Sequence, residues 1–448
     1  MSHRAGIILA AGQGTRMKSA TPKVMHEVAG LPMLGHVIAA MRGAGIDRIV
    51  VVSAPGMDGL RAFATSLGAA NAIQHEQHGT GHAAASAREA LAAFDGALLI
   101  NNGDMPLARA EMMAESLASA ERQGFSVVAF QPEDPAHYGR VLLDADGLLD
   151  RIVEYKDATQ AQRRIDLCCA GTYSAASARR FFEWASKLSN ANAQKEYYLP
   201  EVPSVARADG VKSAVTVTDA ITVMGVNSRA ELAAAEAQMQ KRLRAKALEA
   251  GVGMIAPETV FLSYDTVLEP DVQLEPNIVF EPGVTVRSGA RIRAFSHIEG
   301  AEVAGGAIVG PYARLRPGAV IEEDVHIGNF VEVKKARIEK GAKANHLAYI
   351  GDARVGAGAN IGAGTITCNY DGFDKHFTDI GAGAFIGSDS ALVAPVKVAD
   401  GAYVGAGSVI TKDVGKDALA VTRAEQREIA GWAERFRARK RAEKQGNK

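Results

Sequence analysis

The sequence predicts a chain in two parts, a wound α/β half followed by a parallel β-helix. Three observations predict it. Up to about residue 227, short apolar strands alternate with helical stretches. From about Val260 to Ile410 helical periodicity vanishes and apolar residues recur every sixth position. Between these regions lies a single helical stretch with its own start and stop signals.

In the first part Ile7–Ala10 reads as a buried strand, Leu34–Arg42 as a helix and Arg48–Ser53 as a strand. Ala83–Phe94 follows as an Ala-rich helix and Ala97–Ile100 as another buried strand. Alternation of this kind predicts a mostly parallel sheet covered on both faces. Ser228 and Glu231 have the spacing of a capping box. They open a helix carrying Leu232, Ala235, Met239, Leu243 and Ala247 on one face, which Gly251 closes. The expected boundaries are therefore 1–227, a linking helix over 228–251, and 252–448.

In the last part Ile380, Ile386, Leu392, Val398, Val404 and Ile410 stand at strict six-residue intervals. Leu315, Ile321, Ile327 and Val333 do the same, as do Val286, Ile292 and Ile298. A hexapeptide period gives one short strand and one corner per repeat, with the aliphatic side chain pointing into a prism. Three strands make a coil of about 18 residues, so about eight coils fit. Thr365–Asp379 breaks the period and is expected to project as a loop. The basic C-terminal segment is either a cover for the last coil or a tail; its last ten or so residues read as tail.

Composition excludes several classes. Charges nearly cancel, with formal net charge -1, so nothing points to nucleic acid or an acidic membrane. No apolar run is long enough for a membrane helix, and the N-terminal run from Ile7 to Ala11 is too short for a signal peptide. The three cysteines, Cys168, Cys169 and Cys368, have no metal-ligand spacing, and reduced thiols in a cytoplasmic protein are expected.

Gly12 and Gly14 follow the first strand, with Arg16 and Lys23 close behind. Glycines let the backbone approach an anion, and two cations beside such a loop suit a triphosphate. The loop lacks the third Gly of a dinucleotide fingerprint and the Gly-Lys-Ser/Thr of a P-loop. The run Leu9-Ala10-Ala11-Gly12-Gln13-Gly14-Thr15-Arg16-Met17 with Pro22-Lys23 resembles the signature of sugar-phosphate nucleotidylyltransferases. Gln74, then Gln77-His78-Gly79-Thr80-Gly81-His82, resembles their uridine-reading segment. Asn102-Gly103-Asp104, Tyr138-Gly139-Arg140, Glu154-Tyr155-Lys156 and Gly225-Val226-Asn227 complete the set.

With the hexapeptide half included, nearly the whole chain resembles the bacterial bifunctional N-acetylglucosamine-1-phosphate uridylyltransferases and glucosamine-1-phosphate acetyltransferases. The resemblance implies a Rossmann-like nucleotidyltransferase domain, a left-handed parallel β-helix of hexapeptide repeats, and a homotrimer. It implies that Leu9, Ala10, Ala11, Gly12, Gln74, Gly79 and Thr80 hold uracil and ribose. Gly139, Glu154 and Cys169 would then hold the sugar, Asp104 and Asn227 a Mg²⁺ ion, and Arg16 and Lys23 the UTP phosphates. It also implies His346 as general base for acetyl transfer and Arg316, Lys334, Tyr349 and Asn360 as the glucosamine-1-phosphate site. Ala363, Asn369, Tyr370, Ser388, Ala406 and Arg423 would hold acetyl-CoA, with Lys375 on the same projecting loop as Asn369 and Tyr370.

The sequence departs from the family in two places. Relatives usually carry Asn where Cys169 stands, and a thiol is a poor hydrogen-bonding group beside an amide. Asn102 stands where they often carry Tyr. Two other readings use the same folds: a uridylyltransferase whose β-helix only assembles it, and a non-enzymatic assembly subunit. The first predicts no base on the prism and the second a lost Gly loop or Asp104; this chain retains all three.

Overall fold

A computed structural model describes residues 4–445, so Met1–His3 and the last three residues of the basic segment lie outside the described residues. The chain divides into two compact units. One comprises the described residues to Lys246 together with Leu262–Tyr264, and the other holds Ala247–Phe261 and the residues from Asp265 onward.

The first unit is built on a sheet with four adjoining parallel strands, β1 (Arg4–Leu9), β2 (Arg48–Ser53), the edge strand β3 (Ala70–Ile73) and β4 (Ala97–Asn102). Beyond β4 come β6 (Cys168–Ala175), β5 (Gly124–Phe130) and β7 (Lys212–Thr218), giving the order β7-β5-β6-β4-β1-β2-β3. Only β6 runs antiparallel to its neighbours along this path. Successive residues face opposite cores, as side chains on a pleated strand must. Ile7, Val50, Val52 and Ile100 pack with Phe181, Trp184 and Leu199. Ile8, Val51 and Leu99 pack with α1 (Met33–Gly43) through Leu34, Val37 and Met41.

One predicted helix is shorter and earlier than expected. Instead of Ala83–Phe94, α2 spans Thr80–Ala85, followed by a separate 3₁₀ turn at Glu89–Leu91. The Gly79 carbonyl accepts from Ala83 N at 3.0 Å, which starts the helix early. The Ser86 hydroxyl then bonds the His82 carbonyl at 3.0 Å, a side-chain bond that marks its end.

The long helix α3 (Arg229–Glu249) packs Ala235 and Met239 against Val28, Met33, Leu107 and Val226 of the first unit. Its capping differs from the expected reciprocal box. Ser228 Oγ accepts from Glu231 N at 3.3 Å, but the Glu231 carboxylate accepts from Asn227 N at 2.6 Å. The reciprocal bond thus falls one residue earlier, where it anchors the backbone of Asn227.

The second unit is a prism of stacked parallel strands. One wall has ten, from Gly253–Met254 to Leu419–Ala420, and the other two walls join into a 15-stranded sheet. The count exceeds the expected eight because pairing runs past both ends of the clear repeat. Every residue of the three hexapeptide series is buried. Strands pair at intervals such as Val260↔Ile278 and Ile298↔Leu315.

The break in period is also narrower than expected. Ile366–Cys368 and Thr378–Ile380 are strands, so the projecting loop is 369–377. Across it the register becomes Val355↔Ile380. At the C-terminus the expected tail is a helix, α4 (Trp432–Gln445), exposed at every residue. It buries nothing and covers no coil; its run of Ala, Glu, Lys and Arg favours helix on propensity alone.

Candidate functional sites

In the first unit the Gly loop, Gln74 and Asp104 follow the carboxyl ends of β1, β3 and β4, where open α/β sheets bind ligands. Ala10 N bonds Val52 O at 2.8 Å and Gly103 N bonds Leu9 O at 2.9 Å, so the Gly loop and the Asp104 turn start side by side. Two adjoining clefts result. One is lined by Leu9, Ala10, Ala11, Gly12, Lys23, Gln74, Gly79 and Thr80. The other is lined by Gly139, Glu154, Cys169, Tyr173, Tyr198 and Asn227, and both share Leu9, Thr80, Asn102 and Asp104.

The nucleotide-side loop is held from behind. Gln77 Nε2 donates to Ala11 O at 2.7 Å. Gly79 adopts φ +103°, and a Cβ there would stand 2.8 Å from the Tyr197 carbonyl oxygen. Only glycine fits that backbone and that contact.

At the junction of the clefts the Lys23 ammonium bonds both Asp104 Oδ2 and Asn227 Oδ1, the latter at 2.9 Å. Two oxygens from distant parts of the chain therefore converge on one cation position. They are hard donors with one negative charge between them, which suits a small divalent ion that completes its shell with phosphate and water. No group of three His, Cys, Asp or Glu residues able to hold a metal by itself exists among the described residues. Arg16 is exposed, lines neither cleft and makes no side-chain bond among the described residues.

The far cleft carries the unusual thiol. Cys169 N bonds Gly139 O at 2.8 Å, and Cys169 Sγ lies 3.2 Å from Tyr173 Oη. Burial pushes the thiol up to about 11. Burial, with Asp157 nearby, also raises Glu154 above the ordinary carboxylate range.

On the prism His346 is exposed at the end of the strand Lys343–His346. Its Nδ1 lies 2.8 Å from Asn329 Oδ1, its register partner on the preceding coil. An amide oxygen only accepts, so the proton sits on Nδ1 and Nε2 is left with a lone pair.

Continuing the register two residues past Ala344↔Ile361, Ile361↔Ile386 and Ile386↔Val404 aligns His346, Ala363, Ser388 and Ala406 in one column. The Arg423 guanidinium bonds Ala406 O at 2.5 Å at its foot. Arg316 and Lys334 follow the paired residues Leu315 and Val333 on adjacent coils. Glu332 holds Arg316 at 2.8 Å, whereas Lys334 has no side-chain partner among the described residues. Gly351 leaves the space that the Tyr349 ring occupies. Asn369 Nδ2 reaches the Tyr349 hydroxyl at 3.5 Å and Asp352 at 2.5 Å, which ties the projecting loop to the wall. Lys375 Nζ stands 4.3 Å above the Tyr370 ring. Asn360 pairs with Lys343 on the wall that carries His346.

Sequence reasoning gave no role to Asn329 or Tyr173; it placed Gln77 in the uridine-reading segment and Glu231 in a capping box without their contacts to Ala11 and Asn227. Counting back one coil from His346 reaches Asn329, so the repeat itself carried that signal. The capping pattern carried the one for Glu231. Nothing in the sequence marked Tyr173, whose hydroxyl reaches Cys169 across an irregularity in β6.

A MobA-like NTP transferase domain matches residues 6–170, and a bacterial transferase hexapeptide model of six repeats matches residues 377–412. The chain is 52% identical over 448 residues to the Bifunctional protein GlmU of Paramagnetospirillum magneticum, covering 99% of this chain and 98% of that one. It is 53% identical to the Bifunctional protein GlmU of Acidiphilium cryptum, over 97% of this chain and 98% of the other. The protein of that name from Sphingopyxis alaskensis is 53% identical over 96% of each.

Proposed function

Because the chain belongs to the bifunctional GlmU family, we propose a division of its two reactions between a phosphate cradle on the sheet and an imidazole on the prism. The protein is a bifunctional transferase of UDP-N-acetylglucosamine synthesis. It acetylates glucosamine-1-phosphate with acetyl-CoA, then joins N-acetylglucosamine-1-phosphate to uridylyl from UTP with release of pyrophosphate. In the reading proposed here residues 1–227 carry uridylyl transfer, 228–251 the helix that follows, and 252–448 acetyl transfer.

For acetyl transfer His346 Nε2 takes a proton from the 2-amine as the amine attacks the thioester carbonyl. The C–S bond then breaks, and the sulfur leaves as a thiol once protonated. The Asn329 contact supports this role, because it leaves the basic nitrogen facing outward. Arg316 and Lys334 bind the sugar phosphate, while Tyr349, Asn360, Asn369 and Tyr370 orient the reactants. The column of Ala363, Ser388 and Ala406, ending at Arg423, takes the extended arm of the coenzyme.

For uridylyl transfer a phosphate oxygen of the sugar phosphate attacks the α-phosphorus of UTP, and the bond to pyrophosphate breaks. Alignment and charge neutralisation carry such a step, so no side-chain nucleophile is needed. Uracil and ribose lie on Ala10–Gly12, Gln74, Gly79 and Thr80, and the sugar against Gly139, Glu154 and Cys169. Lys23 neutralises phosphate charge, and Arg16, exposed beyond both clefts, joins it only by turning inward on its loop. Nucleotidyl transfer in this family calls for a divalent cation, here Mg²⁺, with Asp104 and Asn227 as its protein ligands. When bound, the ion withdraws charge from the phosphate oxygens.

The protein works as a homotrimer through the prism and in the cytoplasm; no helix among the described residues is long and apolar enough to cross a membrane. The observation that carries the reading is the presence of both constellations in one chain. Its test follows thiol and pyrophosphate release separately. His346→Ala should lose the first by roughly 10²–10⁴-fold and keep the second, and Asp104→Ala should do the reverse. Loss of both activities in both folded variants would refute the assignment.

A further inference from the structure

Gln74 lines the nucleotide-side cleft and is 3% exposed. Its Nε2 lies 3.2 Å from the Gly79 carbonyl oxygen and 3.2 Å from His82 Nδ1. A carbonyl oxygen can only accept, so the end of the amide that faces Gly79 is the NH₂. The same NH₂ faces His82, so the imidazole presents a lone pair at Nδ1 and carries its proton on Nε2. Both amide hydrogens are then engaged. The one group that Gln74 has left for a ligand is Oε1, an acceptor.

We propose that His82 is a positioning residue: it fixes the donor–acceptor sense of the Gln74 amide, so that the cleft selects a pyrimidine bearing N3–H over one bearing a lone pair at N3. This rests on the reading of Gln74 as the base-contacting residue. Uracil donates from N3, whereas cytosine accepts there. Turning the amide over would set Oε1 against the Gly79 oxygen, two acceptors in a buried corner, and would require the His82 proton to move from Nε2 to Nδ1. Without His82 only the Gly79 contact resists that turn.

The surroundings hold His82 to this task. It sits on α2, its ring 5.4 Å from the His78 ring and 6.4 Å from the Tyr197 ring. Gly81 N bonds Tyr197 O at 2.8 Å, and Tyr197 N bonds His78 O at 2.8 Å, so the segment around it is pinned on both sides. His82 stands behind Gln74 and lines neither cleft itself.

The test uses the full-length protein and compares kcat/KM for pyrophosphate release with UTP and with CTP, at saturating N-acetylglucosamine-1-phosphate. His82→Leu should lower the UTP-to-CTP ratio at least about tenfold, the size of preference that one buried hydrogen-bonding contact supplies. His82→Asn, whose side-chain oxygen can accept from the amide, should restore the ratio to within about threefold of the parent. A cooperative thermal transition of the first unit, followed by circular dichroism in the same preparations, reports that each variant is folded. An unchanged ratio in the Leu variant, with both nucleotides slowed alike, would overturn the proposal. Should that variant not fold, the ¹⁵N spectrum of the parent decides. A lone-pair Nδ1 at His82 is expected, and an Nδ1–H overturns the proposal. A parent protein that released no pyrophosphate with UTP would sink the uridylyl reading itself, whereas an unchanged ratio sinks only the role of His82.

Discussion

Asn329 illustrates how one residue a coil away sets the chemistry of another. Its carbonyl oxygen takes the proton-bearing side of His346 and leaves the other nitrogen basic. Asn329→Ala should slow acetyl transfer by roughly 10–100-fold, as loss of a group orienting a histidine does at comparable sites. The pyrophosphate-releasing half should be unaffected. Cys169 is the converse case, a residue whose chemistry is muted. With its thiol pushed up to about 11 it remains neutral at ordinary pH and reacts slowly with alkylating reagents. Cys169→Asn should lower the KM for N-acetylglucosamine-1-phosphate by roughly 3–10-fold, the value of one added hydrogen bond. An unchanged KM would show that the sugar makes no contact there. Glu154 gives a pH signature. Its raised pKa means that the folded protein keeps the proton where the unfolded chain has lost it. Stability contributed at this site therefore falls as pH rises from the ordinary carboxylate value through the raised one. Glu154→Gln should flatten that slope in urea unfolding followed across the weakly acidic range.

At the scale of elements, periodicity was legible and its interruptions were not. The strand Arg48–Ser53 has the expected limits because a short apolar run buried on both faces marks it, and every residue of the hexapeptide series is buried because a six-residue period directly reports which side faces the core. The Ala-rich helix was misplaced because Ala is permissive. Its limits came instead from Gly79 and Ser86, whose effects depend on a carbonyl contact and a side-chain bond. The loop 369–377 was overestimated because its flanks pair without aliphatic residues at each sixth place. The site residues followed the same rule. Motif singled out Gln74, Asp104 and His346 as candidates, whereas the contacts that orient them arise only in three dimensions. Gly79→Ala would force a side chain onto positive φ and against Tyr197 O, a cost of order 1–3 kcal/mol. Weakened UTP binding with acetyl transfer intact is the expected result, measured by isothermal titration of UTP.

At the scale of the whole chain, the boundary between the units is not a single cut. Leu262–Tyr264 returns to the first unit: Leu262 exchanges bonds of 2.6 and 2.8 Å with Gln240, and Tyr264 N bonds Ala29 O at 2.8 Å. A chain ending after Tyr264 should therefore be more stable than one ending at Gly251. Loss of about 1–2 kcal/mol of such bonds lowers Tm by roughly 2–8 °C in a unit of this size. Equal melting of the two truncations would show that this segment adds nothing.

The loop at 369–377 departs from the prism wall and rejoins it with the stack still in phase, Val355 meeting Ile380 and Ile380 meeting Val398. Extra length there is absorbed outside the load path of the wall. Such a place acts as a socket: what is plugged into it can be exchanged while the column beneath stays as it was built.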